Sequence, residues 1–318
     1  MTESRKPTFM VVRGTPFADY FLRDRVESAM NYCHREGDVF IVTYVKCGTT
    51  WMQHIVYLIQ NDGVPPASAV EFYTASPFIE VCGSDCTRWM KRPGAIKTHM
   101  PLHLTRYSPD ARYIVVIRNP WDVIVSMHHF WFMISAYDYK ENFDYSFENF
   151  MKGHFESGDY FKFYRDWYKL SGEANVLFIV YEDMKNDPKA AVLRVARFLG
   201  ADYEARLLAD GGKILDAVLK YSSVEEMANY TNRMIHDFYE AEFPFHGEEY
   251  RGWRHLHEVV HKGAGASADK INYVRKGTVG DWKNHFSSEQ VKRLSEKFRE
   301  ETRGSGIANL WPDLGLQG

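Results

Sequence analysis

This sequence predicts an α/β fold, a central parallel sheet flanked by helices, and two features carry the prediction. Short β-branched runs alternate with amphipathic stretches along the chain, as strands do when helices join them into a parallel sheet. One such run, FIVTYVKCGTTWMQHI at 40–55, passes through a turn of small residues into a helical stretch. That P-loop-like strand–loop–helix order is a common way of holding phosphate. The chain's 318 residues suffice for one large domain or two small ones. No repeat or low-complexity segment divides it, so a single domain over 1–318 is expected.

The elements follow in order. Apolar, β-branched runs place strands at Val39–Tyr44, Ala95–Lys97, Arg112–Ile117 and Val176–Val180. Amphipathic spacing places helices at Thr50–Gln60, Trp121–Phe132, Tyr160–Leu170, Pro188–Leu199 and Val224–Arg233. Ser287 and Gln290 match a capping box that opens a charged last helix to about Arg303. Between His236 and Lys276 lies a tract that reads as a long irregular loop. Its part from about 236 to 274 is expected to act as a lid.

Composition narrows the function. The chain is 45% hydrophobic and 25% charged, with a formal charge of −3, which argues against a general nucleic-acid or membrane-surface binder. An anion site must therefore be a local gathering of Lys and Arg. The start, MTESRKPTF, has no apolar core of the signal-peptide kind. The longest apolar runs, such as YIVVI and VLFIVY, fall far short of the ~18 residues of a membrane span. Four cysteines are too few for a disulfide scaffold of this length. A cytoplasmic protein is the expectation.

Four segments carry chemistry. In the first, Lys46, Cys47, Gly48, Thr49, Thr50 and Trp51 wrap the start of a helix. Unpaired N–H groups and the helix dipole there favour an anion. Gly48 permits close approach, the threonines add hydroxyls, and Lys46 adds charge. The spacing is not G-x-x-x-x-G-K-S/T, so this is not the nucleotide P-loop. The turn taken alone also suits an ordinary strand-to-helix connection. In the second, VVIRNPWDVIVS at 115–126, Arg118 ends a strand and Ser126 follows eight residues on. The pair suits a phosphate grip without a metal. The third, YVRKGTVGDWKNHF at 273–286, sets Arg275 and Lys276 beside Gly277. In the fourth, AIKTHMPLHL at 95–104, Lys97 and His99 end a short strand. Beside an activated anionic group, His99 becomes a candidate general base.

Together these segments closely resemble the cytosolic sulfotransferase family. The matching stretches are TYVKCGTTW (43–51), KTHMPL (97–102), VVIRNPWDVIVS (115–126), VYEDM (180–184) and RKGTVGDWK (275–283). They stand in the family's order, and the likeness runs from about Val12 to Arg299. The resemblance implies 3′-phosphoadenosine 5′-phosphosulfate as donor, with 3′-phosphoadenosine 5′-phosphate as product. It implies that 46–51 bind the 5′-phosphate and sulfonate, with Trp51 also near the adenine. Arg118, Ser126, Arg275, Lys276 and Gly277 match the 3′-phosphate positions, and Tyr181 and Ser222 match base-contacting ones. His99 matches the catalytic base, supported by Lys46 and Lys97.

Departures are also visible. Val45 and Cys47 replace a proline and a serine of the family loop, and a thiol beside Lys46 at a helix start is expected to have a lowered pKa. Val224 stands where an aromatic often faces adenine. The family's dimer segment KxxxTVxxxE appears as KNHFSSEQVK, with Ser287, Ser288 and Lys292, so a monomer or weak homodimer is expected. Phe21, Phe78, Trp131, Phe238 and Phe243, with Lys97 and His99, are the candidate walls of an acceptor pocket. A small, mostly apolar molecule with a hydroxyl or amine is the expected acceptor, phenols and aromatic amines ahead of sterols or carbohydrates.

Three rivals remain. The lid contains His257-Glu258-x-x-His261, a literal H-E-x-x-H that on a helix suits zinc hydrolysis. A P-loop kinase shares the phosphate cradle, but the glycine spacing and the missing acidic residue after 115–117 oppose it. A family-like protein that binds the donor nucleotide also suits a dehydratase or a binding protein. No metal is assigned in the favoured reading.

Overall fold

The computed structural model describes residues 7–133, 141–263, 274 and 276–312. Its centre is a four-stranded parallel sheet, and the β-branched runs form it. In chain order the strands are β3 (Val39–Thr43), β4 (Ile96–Thr98), β5 (Arg112–Ile117) and β6 (Val176–Val180), laid side by side as β4-β3-β5-β6. Register is fixed by pairs such as Ile41 with Ile114 and Val115 with Phe178. Two further strands, β1 (Phe9–Val12) and β2 (Thr15–Ala18), form an antiparallel hairpin. Arg13 and Gly14 close its turn with φ of 48° and 79°, the left-handed pair that a two-residue hairpin loop takes.

Both faces of the sheet are covered, so its strands read as unbroken apolar runs. Phe40, Val42, Tyr113, Val115 and Ile117 point into one core. Val39, Ile41, Ile114, Val116, Leu177 and Ile179 point into the other. The second core is closed by Met52, Ile55, Val56 and Ile59 of the Thr49–Gln60 helix and by Val192, Val195 and Ala196 of the Pro188–Leu199 helix.

The expected strands and most expected helices lie within a residue or two of their places, and the last helix, Ser288–Thr302, carries the full Ser287/Gln290 capping box. The stretch at Val224–Arg233 is not one regular helix. A turn of α-helix at Val224–Glu226 runs through a π-helical Met227–Thr231 into Asn232–Glu240.

The lid needs a larger correction. Among the described residues of 236–274 the chain forms the end of the Asn232–Glu240 helix, a short turn at Glu248–Tyr250 and then the helix Arg251–Gly263, so the described part is mostly helical rather than an irregular loop. Gly252 seats the second helix: a Cβ there would lie 1.8 Å from the carbonyl oxygen of Val81, so any larger residue would push the helix off its neighbour. Among the described residues no helix is long and apolar enough to cross a membrane.

Candidate active site

Parallel strands deliver their C-terminal ends to one edge of the sheet, where α/β folds bind ligands. Here β3 delivers the turn 44–48, β4 delivers His99, β5 delivers Arg118 and β6 delivers Tyr181. All four ends open on one cavity, whose walls include Lys46, Gly48, Thr49, Thr50, Trp51, Lys97, His99, Arg118, Ser126, Tyr181, Val224, Lys276 and Gly277. Phe21 and Phe78 line its other half. Residues scattered over more than 230 positions of sequence thus share one space.

The phosphate-type turn is built on left-handed backbone. Lys46 has φ 65° and Gly48 has φ 97°, and Gly48 is the N-cap of the Thr49–Gln60 helix. A Cβ on Gly48 would stand 2.7 Å from the Tyr181 ring, so glycine is required for conformation and for space. The first bond of the helix runs from Met52 N–H to the Gly48 carbonyl at 3.0 Å. The amides of Gly48, Thr49, Thr50 and Trp51 precede it and belong to the unpaired set at a helix start. The Lys46 Nζ stands 4.1 Å from the Phe130 ring centre, at the cavity wall.

Arg118 is 9% exposed. One Nη donates to the Lys46 carbonyl at 3.2 Å and the guanidinium stacks 4.5 Å over Tyr181, while its buried Nε–H has no partner. A rigid, buried cation with an unused donor is the mark of an anion site. Opposite, the loop bearing Lys276 and Gly277 is tied down by Asp122. That carboxylate accepts from Gly280 N–H at 2.8 Å, Trp282 N–H at 3.1 Å and the Asn119 amide at 2.9 Å. Gly277 packs directly on Val224. Arg275 lies outside the described residues.

His99 is held by its neighbours on both sides. Its backbone N–H donates to the Glu80 carboxylate at 2.6 Å, and its Nδ1 lies 2.8 Å from the Thr43 carbonyl. A carbonyl only accepts, so Nδ1 carries the proton and Nε2 keeps its lone pair. Burial pushes its pKa well below the ordinary histidine value, and Lys97 and Lys46 push the same way. The ring is therefore neutral at pH 7, with Nε2 unprotonated. Lys97, whose Nζ stands 3.9 Å over Phe78, is brought down to about 8 by burial, against the pull of Glu156 and Glu80.

Some expected residues sit elsewhere. Cys47 is fully buried, its N–H is spent on the Tyr44 carbonyl at 3.2 Å, and burial raises its thiol to about 12. The expected low-pKa thiol is thus inverted, because the apolar surroundings outweigh Arg118. Ser222 gives its hydroxyl to the Val218 carbonyl at 2.7 Å and lines a side cleft with Trp51 and Val224. Trp131 is core, packed on Phe155. Phe238 and Phe243 stand behind the wall, against Trp253.

The histidine pair fares no better as a metal site. His257 is buried and donates through Nε2 to the Phe238 carbonyl at 2.9 Å, and Glu258 is exposed. The His261 side chain lies outside the described residues. Among the described residues no group of three His, Cys, Asp or Glu is arranged to hold a metal ion.

Other wall residues went unread in the sequence. Trp253, Leu256 and Val260 of the Arg251–Gly263 helix line the cavity at helical spacing, and Glu156, Tyr20 and Tyr73 join them. Behind the wall, Tyr160 and Tyr164 pin the strand ends, their hydroxyls donating to the carbonyls of Arg118 at 2.5 Å and Val116 at 2.6 Å.

Such a fold and site define a class of α/β protein with an anion-suited cavity at the carboxyl edge of its parallel sheet. A family profile described as the sulfotransferase domain matches residues 36–253 and 248–306, and the chain belongs to the sulfotransferase family. Rat sulfotransferase 2A6 is 31% identical over 94% of this chain and 96% of its own length. Mouse sulfotransferase 2A1 is 33% identical over 92% and 94%. In fold the chain is similar to mouse SULT7A1 complexed with PAP, at a TM-score of 0.67 and 24% identity over 94% of this chain and 96% of that one. It is also similar to a retinol dehydratase in complex with retinol and PAP, at 0.65 and 20% over 95% and 91%.

Proposed function

We propose that this enzyme moves a sulfonate group from 3′-phosphoadenosine 5′-phosphosulfate to a hydroxyl of a small acceptor, with His99 as general base. The observation that carries the reading is the His99 ring, neutral, fixed in one tautomer and facing the same cavity as the phosphate-type turn. The residues fit the donor: the unused Arg118 Nε–H, the open helix start and the Gly48 approach all suit bound phosphate. When bound, the donor supplies an activated sulfonate on its 5′-phosphate.

The chain's residues do the rest. Arg118, Ser126, Lys276 and Gly277 hold the 3′-phosphate, and Lys46 with the amides of 48–51 holds the 5′-phosphate. Trp51, Tyr181 and Val224 border the base. His99 Nε2 takes the acceptor proton as the new O–S bond forms and the S–O bond to phosphate breaks. With the donor bound, Lys46 and the helix start would stabilise the bridging oxygen on which charge collects, an effect worth ~3–4 kcal/mol per well-placed donor. Lys97 steadies the sulfonate. The walls from Tyr20, Phe21, Phe78, Trp253 and Leu256 suit an apolar ring, which favours a phenol-like acceptor.

The test is thermal stability with 3′-phosphoadenosine 5′-phosphate against AMP, and magnesium-ATP separately. A ligand at 100 times its Kd adds ~2.7 kcal/mol. Selective stabilisation by the 3′-phosphorylated nucleotide is expected, and a response to magnesium-ATP alone overturns the donor. Incubation with labelled donor and a phenol, analysed for a sulfate ester, then separates transfer from dehydration or mere binding.

A further inference from the structure

Glu156 has no role in that scheme, yet the fold goes to some length to place it. The chain turns sharply just after it, with Ser157 at φ 73° and Gly158 at φ 81°. A serine in the left-handed region persists only where its surroundings hold it there. Here Ser157 N–H donates to the Pro16 carbonyl at 2.9 Å, and the Tyr44 hydroxyl donates to the Gly158 carbonyl at 2.8 Å. Glu156 is thereby set in the cavity wall, in the same lining as Tyr20, Phe21, Lys97 and His99. It is 8% exposed and makes no hydrogen bond or ion pair with any described residue.

A charge count sharpens the point. Lys97 is the ammonium that Glu156 feels most, and Glu80 feels it too. Glu80 is 0% exposed and its Oε2 is buried without a partner. Two carboxyl groups thus face a single cation, and burial holds both near a pKa of about 7. An apolar acceptor leaves Glu156 unpaired, which is unfavourable for a buried carboxylate. A cation that also donates hydrogen bonds, seated in the cavity that Glu156 lines, supplies the partner Glu156 lacks and adds a second positive charge beside Lys97.

We propose that Glu156 selects the acceptor, binding a protonated amine on a molecule whose hydroxyl is presented to His99. This rests on the sulfotransferase reading. The amine, kept protonated, has no lone pair to attack with, so the bond forms at oxygen. The hydroxyl proton passes to His99 Nε2, the O–S bond forms, and the S–O bond of the donor breaks with its electron pair leaving on phosphate.

Calorimetry with two probes of one shape, 4-(3-aminopropyl)phenol and 4-propylphenol, tests this at pH 7.5. Wild-type protein, Glu156→Gln and Glu156→Asp are compared, each checked for folding by circular dichroism. The wild type is expected to bind the amine at least tenfold more tightly. Glu156→Gln is expected to bring the ratio near one without weakening the neutral phenol, and Glu156→Asp to keep part of the preference. A wild-type ratio under twofold, no binding of the amine, or a preference that survives in Glu156→Gln overturns the proposal. The wild-type ratio stands even if a variant misfolds. Binding is read without donor or turnover, so a protein that prefers the amine yet never forms a sulfate ester sinks the transferase reading alone.

Discussion

The Nδ1 of His99 lies 2.8 Å from the carbonyl oxygen of Thr43, and that contact decides which ring nitrogen can act as a base. Because the carbonyl belongs to the last residue of β3, the ring is referenced to the same strand that launches the phosphate-type turn. Replacing His99 by Ala should lower kcat by about 10²–10⁴. The Kd for 3′-phosphoadenosine 5′-phosphate, measured by calorimetry, should stay within about threefold, since no donor-holding residue is lost.

Activity should fall as pH rises through about 8, where the Lys97 ammonium gives up its proton. His99 titrates well below its usual range, so it sets no limb near pH 6.5. In a kcat/KM profile, Lys97→Arg should move the alkaline limb upward, because guanidinium stays charged.

Glu80 and Glu156 make stability depend on pH in the opposite sense to most carboxylates. Both titrate near 7 in the fold and near 4.5 in the unfolded chain. Between those values the native state binds more protons, so unfolding free energy falls as pH rises. Glu80→Gln should therefore gain on the wild type by on the order of 1–3 kcal/mol at pH 8 and show little gain near pH 5, as urea melts at both values would report.

Gly48→Ala combines a left-handed φ with a 2.7 Å approach to Tyr181. A cost of about 1–3 kcal/mol is expected, with nucleotide affinity down at least tenfold and the thermal shift by 3′-phosphoadenosine 5′-phosphate lost.

Asp122→Ala should free the loop at 276–282, which that carboxylate grips through two amides. If Lys276 and Gly277 hold the 3′-phosphate as proposed, binding of 3′-phosphoadenosine 5′-phosphate should weaken about tenfold while AMP binding changes little.

Much of the sheet was legible because buried parallel strands announce themselves as apolar runs, as at Arg112–Ile117. One side of the cavity was legible because its small and basic residues, such as Lys46 to Trp51, sit in short contiguous stretches. Glu156 was not, since nothing beside it in the chain says that a left-handed turn aims it inward. Cys47 misled because sequence shows a neighbouring lysine but not the Tyr44 carbonyl that claims its amide, nor the apolar packing around its sulfur. The Arg251–Gly263 helix did carry a signal, Trp253, Leu256 and Val260, but the histidines and arginines between them masked the period. Asp122 was present in a quoted motif, and only the fold reveals that its partners lie some 160 positions away.

The seat of the Arg251–Gly263 helix on Val81, made possible by Gly252, has an evolutionary corollary. That helix contributes Trp253, Leu256 and Val260 to the cavity wall and none of the strand-end residues. A change of that helix would therefore reshape one wall of the cavity and leave the strand-end turn and Arg118 in place. Variation of that wall and constancy of the strand ends are, in this architecture, written on different pieces of chain.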